Sequence, residues 1–291
     1  STDHGNAQNL AWLDTAGASY PLMLASAMGG DASIKCAAVG NMFNGTHNAV
    51  NGVSVQRIND MAATITALKG GGATEPNRGV GAIAAVGAQK YSQPLVGANP
   101  KSLSSVKDGH STLITTLNKA APAFNFDSIP TAYNVPTGIQ NNNMRSMMAG
   151  AELMVRAGAN VITCISNFAW DSHGDRTGAN VRNQMAADIL PGVSLFIQRM
   201  MIDAAADYDV TLVFTGDFSR SLPGSDHQGN LTEVLIGPSV KTGTTGNVDT
   251  NVRLPVGTPA FQGRWSHLSN LAGVASNPFG PTGSFHAALK R

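Results

Sequence analysis

Apolar residues fall in short blocks along this chain, separated by stretches rich in Gly, Pro, Asn and Thr. Ile34 to Val39 has the length of a strand and stops at a polar loop, Gly40-Asn41-Met42-Phe43-Asn44-Gly45-Thr46-His47-Asn48. Val55, Ile58, Met61, Ala62, Ile65 and Leu68 keep a spacing of three and four, which predicts a helix capped by Ser54 and ended by Gly70-Gly71-Gly72. Val80 to Val86 reads as a small-residue strand or turn, and its Gly79-x-Gly81 is too short to mark a nucleotide site. Residues 90–140 read mostly as loop, broken by Pro94, Pro100, Pro122, Pro130 and Pro136, with one helix near 110–120. A strong helix follows over about 142–157. Its Met144, Met147, Met148, Leu153 and Met154 form a stripe that reads as core packing rather than a ligand surface.

Two further blocks, Val161 to Ile165 and Val210 to Phe214, predict strands on either side of a helix over about 189–207. Strand, helix and strand with short connections imply a right-handed crossover and a parallel pair. Beyond Gly237 the chain becomes Gly-, Thr- and Asn-rich, which predicts an extended arm near 241–257, and a last helix is expected near 265–275. With no internal repeat or flexible linker, residues 1–291 read as a single α/β domain.

Both motif-bearing strands stop at loops crowded with acids and imidazoles. The first runs into Asn167-Phe168-Ala169-Trp170-Asp171-Ser172-His173-Gly174. The second runs into Thr215-Gly216-Asp217-Phe218-Ser219-Arg220, with Asp226-His227 shortly after. An open α/β sheet builds polar sites in this way at the carboxyl edge of its strands. Carboxylates and imidazoles gathered there suit zinc, manganese or iron. Asp171 and His173 stand two apart, so an extended loop turns both side chains to one side as chelation requires; the alternative is a capped turn in which His173 bonds Asp171. Asp217 is either a metal ligand or the buried partner of Arg220. Asp226-His227 fits a two-metal esterase or an exposed turn, and His47 is a fourth imidazole at a strand end. Thr46 beside it is the best-placed hydroxyl nucleophile. His4, His110, His267 and His286 have no acidic or imidazole neighbour in sequence and read as surface or core residues.

Composition narrows the field. Hydrophobic residues make up 42% of the chain and charged ones only 13%, about half the usual charged share. A net charge of +1 without a basic stripe argues against nucleic acid as a partner. The surface must then be neutral and polar, as is common outside the cell, and such surfaces also favour self-association. No stretch approaches the roughly twenty uninterrupted apolar residues of a membrane span, and Ser1-Thr2-Asp3-His4-Gly5 reads as a mid-protein loop or as a processed terminus that has already lost an upstream leader. Cys36 and Cys164 fall in predicted strands, as free thiols or as one disulfide. Asn44-Gly45-Thr46 and Asn230-Leu231-Thr232 match the glycosylation sequon, which matters only in an exported eukaryotic protein.

Trp170-Asp171-Ser172-His173-Gly174 resembles the W-D-T-H-G element of a family of secreted bacterial proteins placed beside the sulfatases in the alkaline phosphatase superfamily. Leu212 to Ser221 resembles that family's strand followed by S-E-F-G-R-T, and Ser225-Asp226-His227 its G-x-D-H. The resemblance covers roughly the second half of the chain. It implies an alkaline-phosphatase-like fold, a mostly parallel sheet between helices (three-layer α/β/α), with a metal site at the carboxyl ends of the strands. It also implies export and a divalent metal (zinc, manganese or calcium), for which Asp171, His173, Asp217, Asp226 and His227 are the ligands expected from the matched elements. Phosphate- or sulfate-ester hydrolysis would follow, with Arg220 stabilising charge on the transferred group; His47 as a further ligand and Thr46 as nucleophile are read from their place after the first strand and lie outside the resemblance. Asp217 and Ser219 stand where the family has Glu and Gly, and the opening Gly-rich, Asp-bearing metal loop is not found between Ser1 and Gly30. The rival reading is a non-catalytic extracellular protein that self-assembles or binds a surface. A carbohydrate binder ranks last, since three Trp and four Tyr make a poor aromatic platform.

Overall fold

The computed structural model describes residues 4, 9, 11–14, 16–30, 32, 34–42, 49–68, 124–166, 172–216, 219–220, 223, 227–228, 233–243 and 261–279. The expected turn at 80–86, the helix near 110–120, the arm beyond 243 and both sequons lie outside them.

Strand β1 (Cys36–Gly40) forms the middle of a three-stranded parallel sheet, between β2 (Val55–Ile58) and β3 (Val161–Ile165). Every residue of β1 is buried, as a central parallel strand must be when both faces are covered. Alternation sends Ala37 and Val39 into the main core and Cys36 to the opposite face, against Leu22 and Ala25 of helix α1 (Tyr20–Met28). The chain is therefore a mixed α/β fold with helices against both faces of its central strand.

Helix α2 (Met61–Leu68) is shorter than its periodicity predicted. Val55 to Ile58 leave it to become β2, because pairing with Cys36 to Val39 satisfies their backbone where an isolated helical turn would not. Asp60 rather than Ser54 then caps α2, its Oδ1 accepting the Ala63 N–H at 2.9 Å. Helix α3 (Ser128–Tyr133) interrupts the stretch expected to be loop; its Pro130 sits in the first turns, where no N–H is needed.

Helix α4 (Met144–Arg156) matches its prediction, with Asn143 as N-cap. Its Met147, Leu153 and Met154 are fully buried, confirming the Met stripe as core. Helix α5 (Ala179–Ile202) begins about ten residues earlier than expected. It widens into π-turns at Met185–Ile189 and Ile197–Ile202, and the first of these lies just ahead of Pro191, which supplies no donor to the ladder. By length and composition α5 could cross a membrane. Here Ile189, Val193, Phe196 and Met200 pack into the main core, and Gly192 fits against the backbone of Met144 and Arg145.

At the α4–α5 interface, Glu152 is fully buried between two cations. Its Oε1 accepts from Arg156 Nε at 2.8 Å and from Arg199 Nη2 at 2.7 Å, and its Oε2 from Arg199 Nε at 2.7 Å. Burial alone would push this carboxyl up; the hydrogen bonds from Arg199 and Arg156 reverse that and hold it below the ordinary carboxylate range. The Arg156 guanidinium also lies 3.9 Å from the centre of the Phe124 ring.

Strand β4 (Leu212–Phe214) does not pair with β3 as the crossover predicted. It pairs antiparallel with β7 (Val234–Ile236), a strand whose three residues gave no sequence signal. Two-residue strands β5 (Ser219–Arg220) and β6 (His227–Gln228) form a separate antiparallel ladder between them. Helix α6 (Phe261–Leu271) closes a second, aromatic cluster in which Trp265, Leu268 and Leu271 meet Tyr20, Leu24 and Phe279.

Cys36 and Cys164 are free thiols on neighbouring strands. Cys36 stands opposite Val161 and Cys164 opposite Val39, three positions apart in the ladder. That offset is about 10 Å at roughly 3.3 Å per residue, beyond disulfide reach.

Candidate functional site

His173 lies in the connection from the end of β3 to the start of α5. What shapes this connection is Asp175, two residues on. Its Oδ2 accepts the Val181 N–H at 3.1 Å, with further bonds from Ala179, Asn180 and Thr177. The carboxylate thus collects the orphan donors at the opening of α5. Burial works to raise its pKa, and these backbone hydrogen bonds outweigh it and leave the group below its usual range. Asp175 was not singled out from sequence, because it stands three residues ahead of the N-cap Gly178 rather than at the cap itself.

Arg220 and His227 reach the same place from the other motif strand. The β5–β6 ladder sets them directly opposite each other. Residues seven apart face each other here, and the intervening Leu222-Pro223-Gly224 has the composition of a turn. Arg220 Nη2 lies 3.1 Å from His227 Nε2, and His227 Nε2 lies 3.1 Å from His173 Nε2. The His173 and His227 rings stack with centroids 4.8 Å apart. Residues separated by 54 positions therefore converge on one point.

The hydrogen-bonding roles follow from chemistry. A guanidinium only donates, so His227 Nε2 accepts from Arg220 and carries a lone pair. A neutral His227 ring is then protonated at Nδ1, and its Nε2 lone pair is the one that Arg220 engages. Two nitrogen ligands at roughly 2.0–2.1 Å from one tetrahedral zinc stand roughly 3.3 Å apart. The 3.1 Å between His173 and His227 is close to that separation, and a shared cation would have to take the place of the Arg220 donor at His227 Nε2. Imidazoles favour zinc or manganese over calcium, which prefers oxygen.

Asp171, Asp217, Asp226, His47 and Thr46 lie outside the described residues. Among the described residues, no three His, Cys, Asp or Glu side chains already form a ligand set.

His4 corrects a sequence reading. Half-buried, it is no isolated surface or core residue: its ring lies 5.0 Å from that of His227, edge to face. No local pattern announces a contact across more than two hundred residues. His267, by contrast, is buried in α6 as a core histidine.

Arg264 is the other residue that sequence reasoning missed. This buried cation donates through Nη1 to Glu233 Oε1 at 2.8 Å and to Thr215 Oγ1 at 3.0 Å, and through Nη2 to the Ala11 carbonyl at 2.5 Å. It ties the end of β4, which leads to Asp217 and Arg220, to the stretch of chain that follows His4.

Comparison with protein-family models, with curated proteins and with solved structures finds no match to this chain.

Proposed function

We propose that this chain is an exported, metal-dependent hydrolase of phosphate or sulfate esters, built on an alkaline-phosphatase-like α/β/α sheet. The observation that carries the reading is the 3.1 Å approach of His173 Nε2 to His227 Nε2, with Arg220 Nη2 at the same atom. Helices on both faces of β1, and a motif loop that leaves the carboxyl end of β3, support such a site.

His173 and His227 would hold the cation, with Asp171, Asp217, Asp226 and His47 as the remaining ligands. When bound, the metal supplies Lewis-acid polarisation of an ester oxygen and a lowered pKa for the nucleophile. Arg220 donates to the oxygens of the transferred group, where its planar fork matches phosphate and sulfate. Thr46 is the nucleophile in this reading. Asp175 would fix the backbone two residues beyond His173.

The test is hydrolysis of aryl phosphates and aryl sulfates with zinc or manganese supplied. Turnover should vanish with chelator and in His173→Ala. A folded protein that binds neither metal and turns over neither substrate class would defeat the proposal.

A further inference from the structure

Asn51 and Gly52 form the tip of a tight reversal that leads into β2. Val50 and Val53 exchange two backbone hydrogen bonds across it, each 2.9 Å from N to O. Asn51 has φ 48° and Gly52 φ 79°. Positive values at both central residues mark a type I′ turn, for which Asn-Gly is a preferred pair. The tip is exposed, while Val53 is buried in one cluster with Cys36, Leu22 and Ala25. Asn51 Nδ2 donates to Ser26 Oγ of α1 at 3.3 Å, which ties the tip to the helix beside it.

Asn followed by Gly is also a pair open to self-modification, since no Cβ on Gly52 shields its amide nitrogen. That nitrogen can attack Asn51 Cγ, forming an N–Cγ bond as the Cγ–Nδ2 bond breaks. The Gly52 N–H proton leaves with Nδ2 as ammonia, and a five-membered imide remains. Water then opens the imide at either carbonyl, giving Asp or isoaspartate; amide and water have become acid and ammonia. Ring closure needs the Gly52 nitrogen on the same side of the Asn51 Cα–C bond as Cβ. At the left-handed ψ of roughly +47° that nitrogen stands nearly opposite Cβ instead. We propose that Asn51 is a latent modification site, held unreactive by its turn and converted only when the Val50–Val53 pair opens. The step is one-way. Asp still suits a type I′ turn, but isoaspartate adds a methylene to the backbone path, so the two Val50–Val53 bonds do not re-form together. Val53 then loses its place in the cluster with Cys36, two residues before β2 begins.

The experiment incubates the full chain in mildly alkaline buffer, native and in guanidinium, and follows conversion by peptide mapping. Fragmentation of the peptides separates Asn51 from Asn44, the other Asn followed by Gly. Asn51 should convert at least about 10-fold more slowly in the native chain, since opening breaks two backbone hydrogen bonds and the bond to Ser26. Ser26→Ala should raise the native rate roughly 2- to 10-fold and leave the unfolded rate unchanged. Asn51→Asp should melt with wild type, whereas the isoaspartate form, isolated chromatographically from aged protein, should melt lower. Equal rates in the native and unfolded chain would overturn protection by the turn. An isoaspartate form that melts with wild type would overturn the one-way step, and no isoaspartate from the unfolded chain would remove the site altogether.

Discussion

Glu152→Gln keeps the volume of the side chain and removes only its charge and one acceptor. The carboxylate now accepts three N–H donors, two on Oε1 and one on Oε2. An amide oxygen placed at Oε1 retains two of these bonds but turns an NH₂ group against Arg199 Nε, donor to donor. Arg156 and Arg199 also lose the counter-charge between them. Breaking a buried ion pair by removing one partner costs about 3–5 kcal/mol. The lower end applies here, because the Arg156 and Arg199 side chains keep 11% and 23% of their surface exposed and water can reach them. About 3 kcal/mol corresponds to a fall of roughly 6–12 °C in Tm for a chain of this order of size. Guanidinium unfolding followed by circular dichroism would measure it, at an m-value unchanged from wild type. The double variant Glu152→Gln/Arg199→Met should lose less than the sum of its parts, since no donor then faces the amide. A Glu152→Gln protein within 0.5 kcal/mol of wild type would refute the reasoning and show that water already replaces the carboxylate.

Acid should destabilise the protein through Glu152 and Asp175, whose folded pKa values both lie below their ordinary values. Their contribution is complete above the unfolded values of roughly 4.3 and 3.9, and is lost as pH falls through the lower folded values. Chemical unfolding at stepped pH should show this acid limb, and Glu152→Gln should flatten it. Gly192→Ala places a methyl 2.7 Å from Arg145 N and 2.9 Å from Met144 O, both backbone atoms. The resulting strain of about 1–3 kcal/mol should outweigh a gain of about 1 kcal/mol in helix propensity, and a Tm at or above wild type would contradict it. Burial pushes the Cys36 and Cys164 thiols up to about 12, so at pH 8 a thiol reagent should react slowly with native protein and with both thiols once unfolded. Cys164 keeps part of its surface open and should react first; rapid labelling of Cys36 would count against the buried sheet face.

The amino-acid sequence determined the elements whose cause is local. Cys36 to Gly40 and Val161 to Ile165 are uninterrupted apolar runs with no competing helical period, and both became strands of one parallel sheet. Asn143 and the Met stripe defined α4 almost to the residue, since capping and a 3.6-residue period are written within a few turns. The convergence of His173, His227 and Arg220 was expected from the polar loops that follow two strands, although those strands lie in separate sheets rather than side by side.

Tertiary structure alone decided what depends on distant partners. Val55 to Ile58 suit a helix or an edge strand equally, and Cys36 to Val39 across the ladder chose the strand. Val234 to Ile236 are too few to signal a strand until Leu212 to Phe214 lie beside them, and that pairing removed β4 from the expected place next to β3. His4 against His227, and Arg264 between Ala11, Thr215 and Glu233, join residues that no periodicity relates. Local propensity records only what a residue costs within its own turn or strand, whereas these contacts draw their energy from groups that meet only once the chain has folded.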